Sequence, residues 1–229
     1  LLILFMLIEN AAFAQEQTEK NENNWSVEVT FKSAYDNNIL KYSDKYLDRF
    51  VNNEDKGRFH INKYDDLVLD YSIRISYSND ILKNLRSIFS IRVNYDHYTI
   101  NSIKSWISYD LGWQQFVSNK TSFMLSYSYL PDFYISHYRD DDWTKIYGYT
   151  PKTFQPYSFM KSDCSLWMQH NFSTSTKARL YFSFMKYFYN EHFTEYDSDN
   201  FMFGGRVFNE ISDKITIDAG YKYINSNAK

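Results

Sequence analysis

Apolar and polar residues alternate along 85–96 and again along 103–114. Leu85, Phe89, Ile91, Val93 and Tyr95 share one parity, and Arg86, Ser90, Arg92, Asn94 and Asp96 share the other. A period of two sustained over about ten residues, twice, predicts two long strands in a hairpin. The same period recurs at 24–35, 67–78, 121–129, 157–170, 176–189, 201–208 and 214–223, which makes nine strands. Pro131 is expected to end the fifth strand, because proline has no amide donor for the ladder. Gly204 and Gly205 are expected to mark a bend or bulge in the eighth.

The connections sort by length. Those after strands one, three, five and seven are long or medium, led by 36–66 and 132–156, and those after the even strands are short. Strands of about ten residues exceed the usual five or six and match the length that crosses a bilayer at a tilt. Outer-membrane barrels show the same asymmetry of short inner turns and long outer loops. The expected fold is therefore all-β: a transmembrane antiparallel up-and-down β-barrel over 24–229. Nine is an odd count, so closure is expected to need strands beyond Lys229. The competing reading of the alternation is a β-sandwich or a soluble antiparallel sheet.

Residues 1–8 are continuously apolar, and Ala12, Phe13 and Ala14 form a small-x-small site. This predicts a signal peptide over 1–14 that lacks its basic start, followed by a polar periplasmic lead-in over 15–23. The location that follows is the bacterial outer membrane, with the N-terminus in the periplasm. Lipid and the barrel-assembly machinery are the expected partners.

Composition sharpens this picture. The chain has 22 Tyr, 19 Phe and 5 Trp among 229 residues. Trp25, Tyr77 and Trp113 fall at one end of the apolar faces, and Tyr35, Tyr95 and Tyr129 at the other, which predicts two aromatic girdles. A mean hydropathy of -0.56 excludes a bundle of membrane helices. The formal charge of -3 gives no reason to expect nucleic-acid binding. The polar parity carries Glu28, Lys32, Asp70, Arg74, Arg92, Asp96, Lys104, Asp110 and Arg179, the expected lumen lining. Mixed charge on such a wall points to a channel for small polar solutes. The alternative is a non-conducting surface or scaffolding barrel that holds a partner through its long loops.

Catalytic, metal and cofactor signatures are not found in the sequence. The five His residues are dispersed, and the single Cys, Cys164, reads as a small hydrophobe on an apolar parity. Asp140, Asp141 and Asp142 read as a solvated acidic loop, since three consecutive side chains rarely converge on Ca²⁺. The chain is therefore expected not to be an enzyme. The run Tyr35-Asp36-Asn37-Asn38-Ile39-Leu40, a strand followed by an Asp-Asn turn, resembles the opening of bacterial outer-membrane β-barrel proteins of unknown role. That resemblance implies the barrel and carries no site residues.

Overall fold

Each strand has one apolar and one polar face, and antiparallel pairing keeps like faces together. The computed structural model describes residues 24–54, 57–82, 85–212 and 215–228. The predicted signal peptide and lead-in lie outside those residues. The strands are β1 (Trp25–Asp36), β2 (Asp66–Leu82), β3 (Leu85–Tyr98), β4 (Trp106–Ser118), β5 (Thr121–Arg139), β6 (Phe154–Asn171), β7 (Thr176–Tyr189), β8 (Ser198–Ser212) and β9 (Ile215–Ala228). Two short helices, α1 (Asp44–Val51) and α2 (Asp141–Tyr147), lie in the long connections. Every strand pairs with its sequence neighbour, so the order in the sheet is the order in the chain.

The pairing explains why the pattern recurs. One rung joins Val27, Ile75, Ile91, Leu111, Tyr127, Cys164, Phe184 and Phe201 across eight strands. The adjacent rung joins Glu28, Arg74, Arg92, Asp110, Ser128 and Asp163. A slip of one residue in any hairpin would put charge into the apolar row, so the pattern fixes the register. The expected girdle residues form cross-strand contacts: Trp25 lies 4.7 Å from Tyr77, Phe89 stacks on Trp113 at 6.2 Å, and Tyr71 stacks on Tyr95 at 6.4 Å.

The expected transmembrane barrel is not what forms. The nine strands make one open sheet, and β1 and β9 are its two edges rather than partners of each other. Alternation and parity-sorted loops are properties of any antiparallel meander. They specify hairpins, whereas closure requires the first strand to pair with the last. Apart from Lys104, the residues assigned to a lumen share one face of an open sheet. The porin-like channel, its scaffolding-barrel variant and the outer-membrane placement all rested on a closed wall, and they fall with it. No described helix is long and apolar enough to cross a membrane, which bears on helices alone.

Several local expectations also change. β5 runs through Pro131 to Arg139, because the pairing shifts register between Leu130 and Phe133 and so accommodates the missing donor. The glycine pair does not break β8: Leu180 opposes Gly205 and Tyr181 opposes Gly204 without a shift. A Cβ on Gly204 would collide with the Tyr181 ring and come within 2.6 Å of the Tyr221 carbonyl oxygen, so close approach is the reason for that glycine. Residues 102–104 form a 3-10 turn rather than the start of a strand. Lys104 is thereby removed from the sheet face, and its ammonium donates to the Ile135 carbonyl at 2.9 Å.

The two faces differ in how they are finished. Val29, Ile73 and Ile91 are at least half exposed on the apolar face, at 72%, 50% and 55%. That face spans roughly 40 Å at ~4.8 Å per strand, so its exposed apolar side chains are contiguous rather than scattered. The polar face carries a hydrogen-bonded row across β2–β5. Ser72 donates to Asn94, Asn94 donates to Ser108 and Asp110 at 3.1 Å, and Ser128 donates to Asp110 at 2.5 Å. Asp70 and Asp96 stand directly opposite each other beside Lys32. Burial, together with the charge of Asp70, raises the Asp96 carboxyl to about 6. Buried apolar side chains among the described residues are few: Ile39, Tyr134 and Phe193. All three sit at the end of the sheet that carries the long connections.

Candidate functional site

The long connections pack against one another over β5 and β6. Tyr42, Tyr46, Phe50, Phe59 and Tyr64 form a chain of ring contacts around α1, with centroids 5.3–6.3 Å apart. In α1, Tyr46 and Phe50 are four residues apart and so lie on one helical face. This segment is tied to β5 twice. The Tyr42 and Ser136 hydroxyls are hydrogen-bonded at 2.8 Å, and His60 stacks on His137 at 3.6 Å. Burial, with His60 alongside, holds His137 down to about 4, so the stacked imidazole is neutral at pH 7. The Tyr134 phenol, whose ionisation burial suppresses, is hydrogen-bonded to His137 Nδ1 at 2.6 Å.

A second clamp is Asp66. Its buried carboxylate accepts from the Thr99 hydroxyl at 2.9 Å, the Ile100 amide at 3.0 Å, the Asn101 amide at 2.8 Å and the Asn101 side chain at 2.9 Å. Burial alone would raise this carboxyl, but those donors outweigh it and lower it. The Asn101 side chain in turn accepts from the Asn62 amide and donates to the Lys63 carbonyl. The β1–β2 connection and the β3–β4 turn are thus held together by two side chains.

Asp140 is the third clamp. It caps α2 by accepting from the amides of Asp142 and Trp143 at 2.9 and 3.0 Å. Its other oxygen meets His192 Nδ1 at 2.9 Å, which ties α2 to the β7–β8 connection. Burial works against ionisation, yet these partners lower the carboxyl. The three acidic residues therefore diverge. Asp140 caps, Asp141 faces a cavity, and Asp142 pairs with Lys145 at 2.8 Å.

The cavity lies between these clamps and measures about 600 Å³, within the range of small-molecule sites. Its described lining includes three arginines, Arg49, Arg58 and Arg139, and one acidic residue, Asp141; Arg49 also pairs with Glu54 at 3.9 Å. Tyr138, Phe154, Tyr157, Phe193 and Tyr196 supply the rest of the described lining. Arg139 is held in place: it donates to the Thr153 hydroxyl at 2.8 Å and the Thr150 carbonyl at 3.2 Å, and it lies 4.2 Å from the Phe154 ring centre. Arg49 and Arg58 both lie over Tyr46, at 5.4 and 4.7 Å. Burial and a hydrogen bond with Tyr189 keep the Tyr157 phenol protonated.

The residues singled out in the sequence lie elsewhere. Glu28, Lys32, Asp70, Arg74, Arg92, Asp96 and Asp110 are on the polar face of β1–β4, and Arg179 donates to Gln169 on β6 at 3.0 Å. Glu28 and Arg74 border a smaller groove of about 310 Å³ near Trp25. Arg49, Arg58, Arg139 and His192 were not singled out as site residues. The aromatic and acidic character of 132–156 was the signal that pointed toward this end of the sheet.

No family model, curated protein or solved structure matches the chain. The resemblance drawn from the Tyr35-to-Leu40 run thus has no support. In the structure that run is a local turn, in which Asp36 accepts from the Asn38 amide at 2.9 Å and pairs with Lys41 at 2.6 Å.

Proposed function

We propose that this chain is a binding module, not an enzyme, and that it captures a small anionic ligand in the cavity between its long connections. The observation that carries the reading is the arrival of three arginines, from two separate segments, at one aromatic-walled cavity, where Asp141 is the acidic residue among the described lining and Arg49 also pairs with Glu54 at 3.9 Å. Guanidinium presents a planar fork of donors that matches carboxylate or phosphate oxygens two at a time. The aromatic walls add apolar area and lower the local dielectric, which strengthens the charge-assisted bonds. The His192–Asp140 pair, which in another setting would suggest acid–base chemistry, is used here to hold one connection against another.

Calorimetric titration with phenyl phosphate, phenol and phenyltrimethylammonium tests the charge preference with one ring throughout. Phenyl phosphate is expected to bind, and the neutral and cationic probes to bind at least about tenfold more weakly, a difference of about 1.4 kcal/mol. Arg139→Gln should weaken phenyl phosphate by about tenfold while leaving thermal unfolding near the wild-type value. Equal binding of all three probes, or none, would refute the proposal.

A further inference from the structure

We infer that the open edge of β1 is a dimer interface, on which a second copy of this chain lays its own β1 antiparallel about a twofold axis at Thr30. The first reason is the edge itself. The Ser78 amide donates to the Asn24 carbonyl at 2.8 Å, so the even-numbered residues of β1 turn their backbone groups toward β2. Trp25, Val27, Val29, Phe31, Ser33 and Tyr35 therefore turn an amide and a carbonyl each to the open side. None of the six is proline, and the register with β2 runs from Trp25 to Asp36 without a shift. An edge with neither proline nor bulge is a template for another strand.

The second reason is charge. With Thr30 on the axis, Glu28 faces the partner's Lys32, and Lys32 faces the partner's Glu28, because a twofold contact makes each pairing twice. Within the sheet Glu28 stands across from Arg74. Lys32 stands across from Asp70 at 4.0 Å, with its side chain largely exposed. The row through the interface then runs Arg74, Glu28, the partner's Lys32, the partner's Asp70, and the sign alternates at every step. On the open side Glu28 and Lys32 occupy non-hydrogen-bonded positions, where facing side chains come closest.

The third reason is that neighbouring registers are worse. An axis at Glu28 or at Lys32 sets that charge against its own copy, and an axis at Val29 or Phe31 leaves both charges facing uncharged residues. A one-residue slip sets apolar positions against polar ones. The Thr30 axis also faces Trp25 with the partner's Tyr35 and Val29 with the partner's Phe31, so the apolar rows continue from one copy into the next. Trp25, Val29, Phe31 and Tyr35 are all exposed and so have apolar area to bury. On the other edge of the sheet, the Asp218 carboxylate of β9 is already engaged by Arg206 through Nε and Nη2, so that edge is the poorer match for a second copy.

Sedimentation velocity of the full chain over a concentration series tests the inference, and a monomer–dimer equilibrium is expected. Glu28→Lys and Lys32→Glu should each keep the wild-type circular dichroism and weaken self-association by at least about tenfold, since each sets like charges face to face twice. An equimolar mixture of the two variants should recover the wild-type dimer, because each copy then supplies the charge that the other has lost. Lys222→Glu, on β9, should leave the dimer unchanged. With Cys164→Ser in place, Thr30→Cys should cross-link to its own copy on mild oxidation, since facing α-carbons about 4.5 Å apart permit a disulfide. A chain that stays monomeric at every concentration overturns the inference, and so does a mixture that fails to recover the dimer. A dimer indifferent to Lys32→Glu overturns it too: sensitivity to Lys222→Glu would then place the contact on β9, and insensitivity to both would place it away from either edge.

Discussion

Asp66→Ala is expected to destabilise the protein by about 3–5 kcal/mol in urea titrations at pH 7, one of the largest single-site effects in the chain. The carboxylate is fully buried and accepts four hydrogen bonds from Thr99, Ile100 and Asn101. Alanine would leave two backbone amides and the Asn101 side chain without that acceptor. Each buried donor so stranded costs about 1–3 kcal/mol, and the sum is less than additive because the turn can relax. Asp66→Asn keeps the shape but replaces one accepting oxygen with a donor, so it should fall between wild type and alanine. The pH dependence has a definite sign. The folded Asp66 carboxyl is lowered, so its contribution is present above the unfolded value of about 3.9 and is lost as pH falls through the lower folded value. The gap between wild type and Asp66→Asn should therefore narrow below about pH 3.9. A loss under about 1 kcal/mol for the alanine variant would show that Asp66 is not the clamp described.

Gly57→Ala is expected to reduce phenyl phosphate affinity by at least about tenfold and to cost about 1–3 kcal/mol of stability. Gly57 has a φ of +88°, where a side chain is strained. Its α-carbon also approaches Pro151 so closely that a Cβ would come within 2.9 Å of that residue's carbonyl carbon and Cα. Those atoms are backbone and cannot swing aside. The two connections would have to separate, carrying Arg58 away from the turn whose Thr150 and Thr153 hold Arg139. Gly148→Ala is the matched control, with a φ of +70° but open space around the new methyl. It should incur the conformational cost with much less loss of binding. Equal affinities for the two variants would mean that the Gly57 contact does not shape the cleft.

Much of the sheet could be read from the sequence, for a physical reason. Strands with Val27, Val29 and Phe31 on one parity and Ser26, Glu28 and Thr30 on the other carry their face assignment locally, and matching faces then fix the register with β2. Closure carries no such local signature, because the edge of β1 has the same sequence pattern whether or not a strand lies beside it. Pro131 misled for a related reason: a one-residue rule marks a lost donor, but a register shift two residues later restores the pairing. Lys104 kept the polar parity of its neighbours, yet a 3-10 turn rotates it toward Ile135.

The candidate site was less legible. The rings and acids of 132–156 announced an unusual connection, but Arg49 and Arg139 stand ninety positions apart and meet only because β1, β2 and the hairpins after them stack side by side. Asp140 could be seen as acidic. That it caps α2 with one oxygen and holds His192 with the other depends on packing between the β5–β6 and β7–β8 connections, which fall at the same end of the sheet.

The most direct test of the cleft is arginine footprinting with phenylglyoxal, read residue by residue by mass spectrometry, with and without saturating phenyl phosphate. Protection is expected on Arg49, Arg58 and Arg139, which line the cleft, and not on Arg74, Arg86 and Arg92 of the sheet. Protection of Arg74 and Arg86 instead would move the anion to the groove near Trp25, and unchanged labelling at all six would contradict an anion site in this cleft.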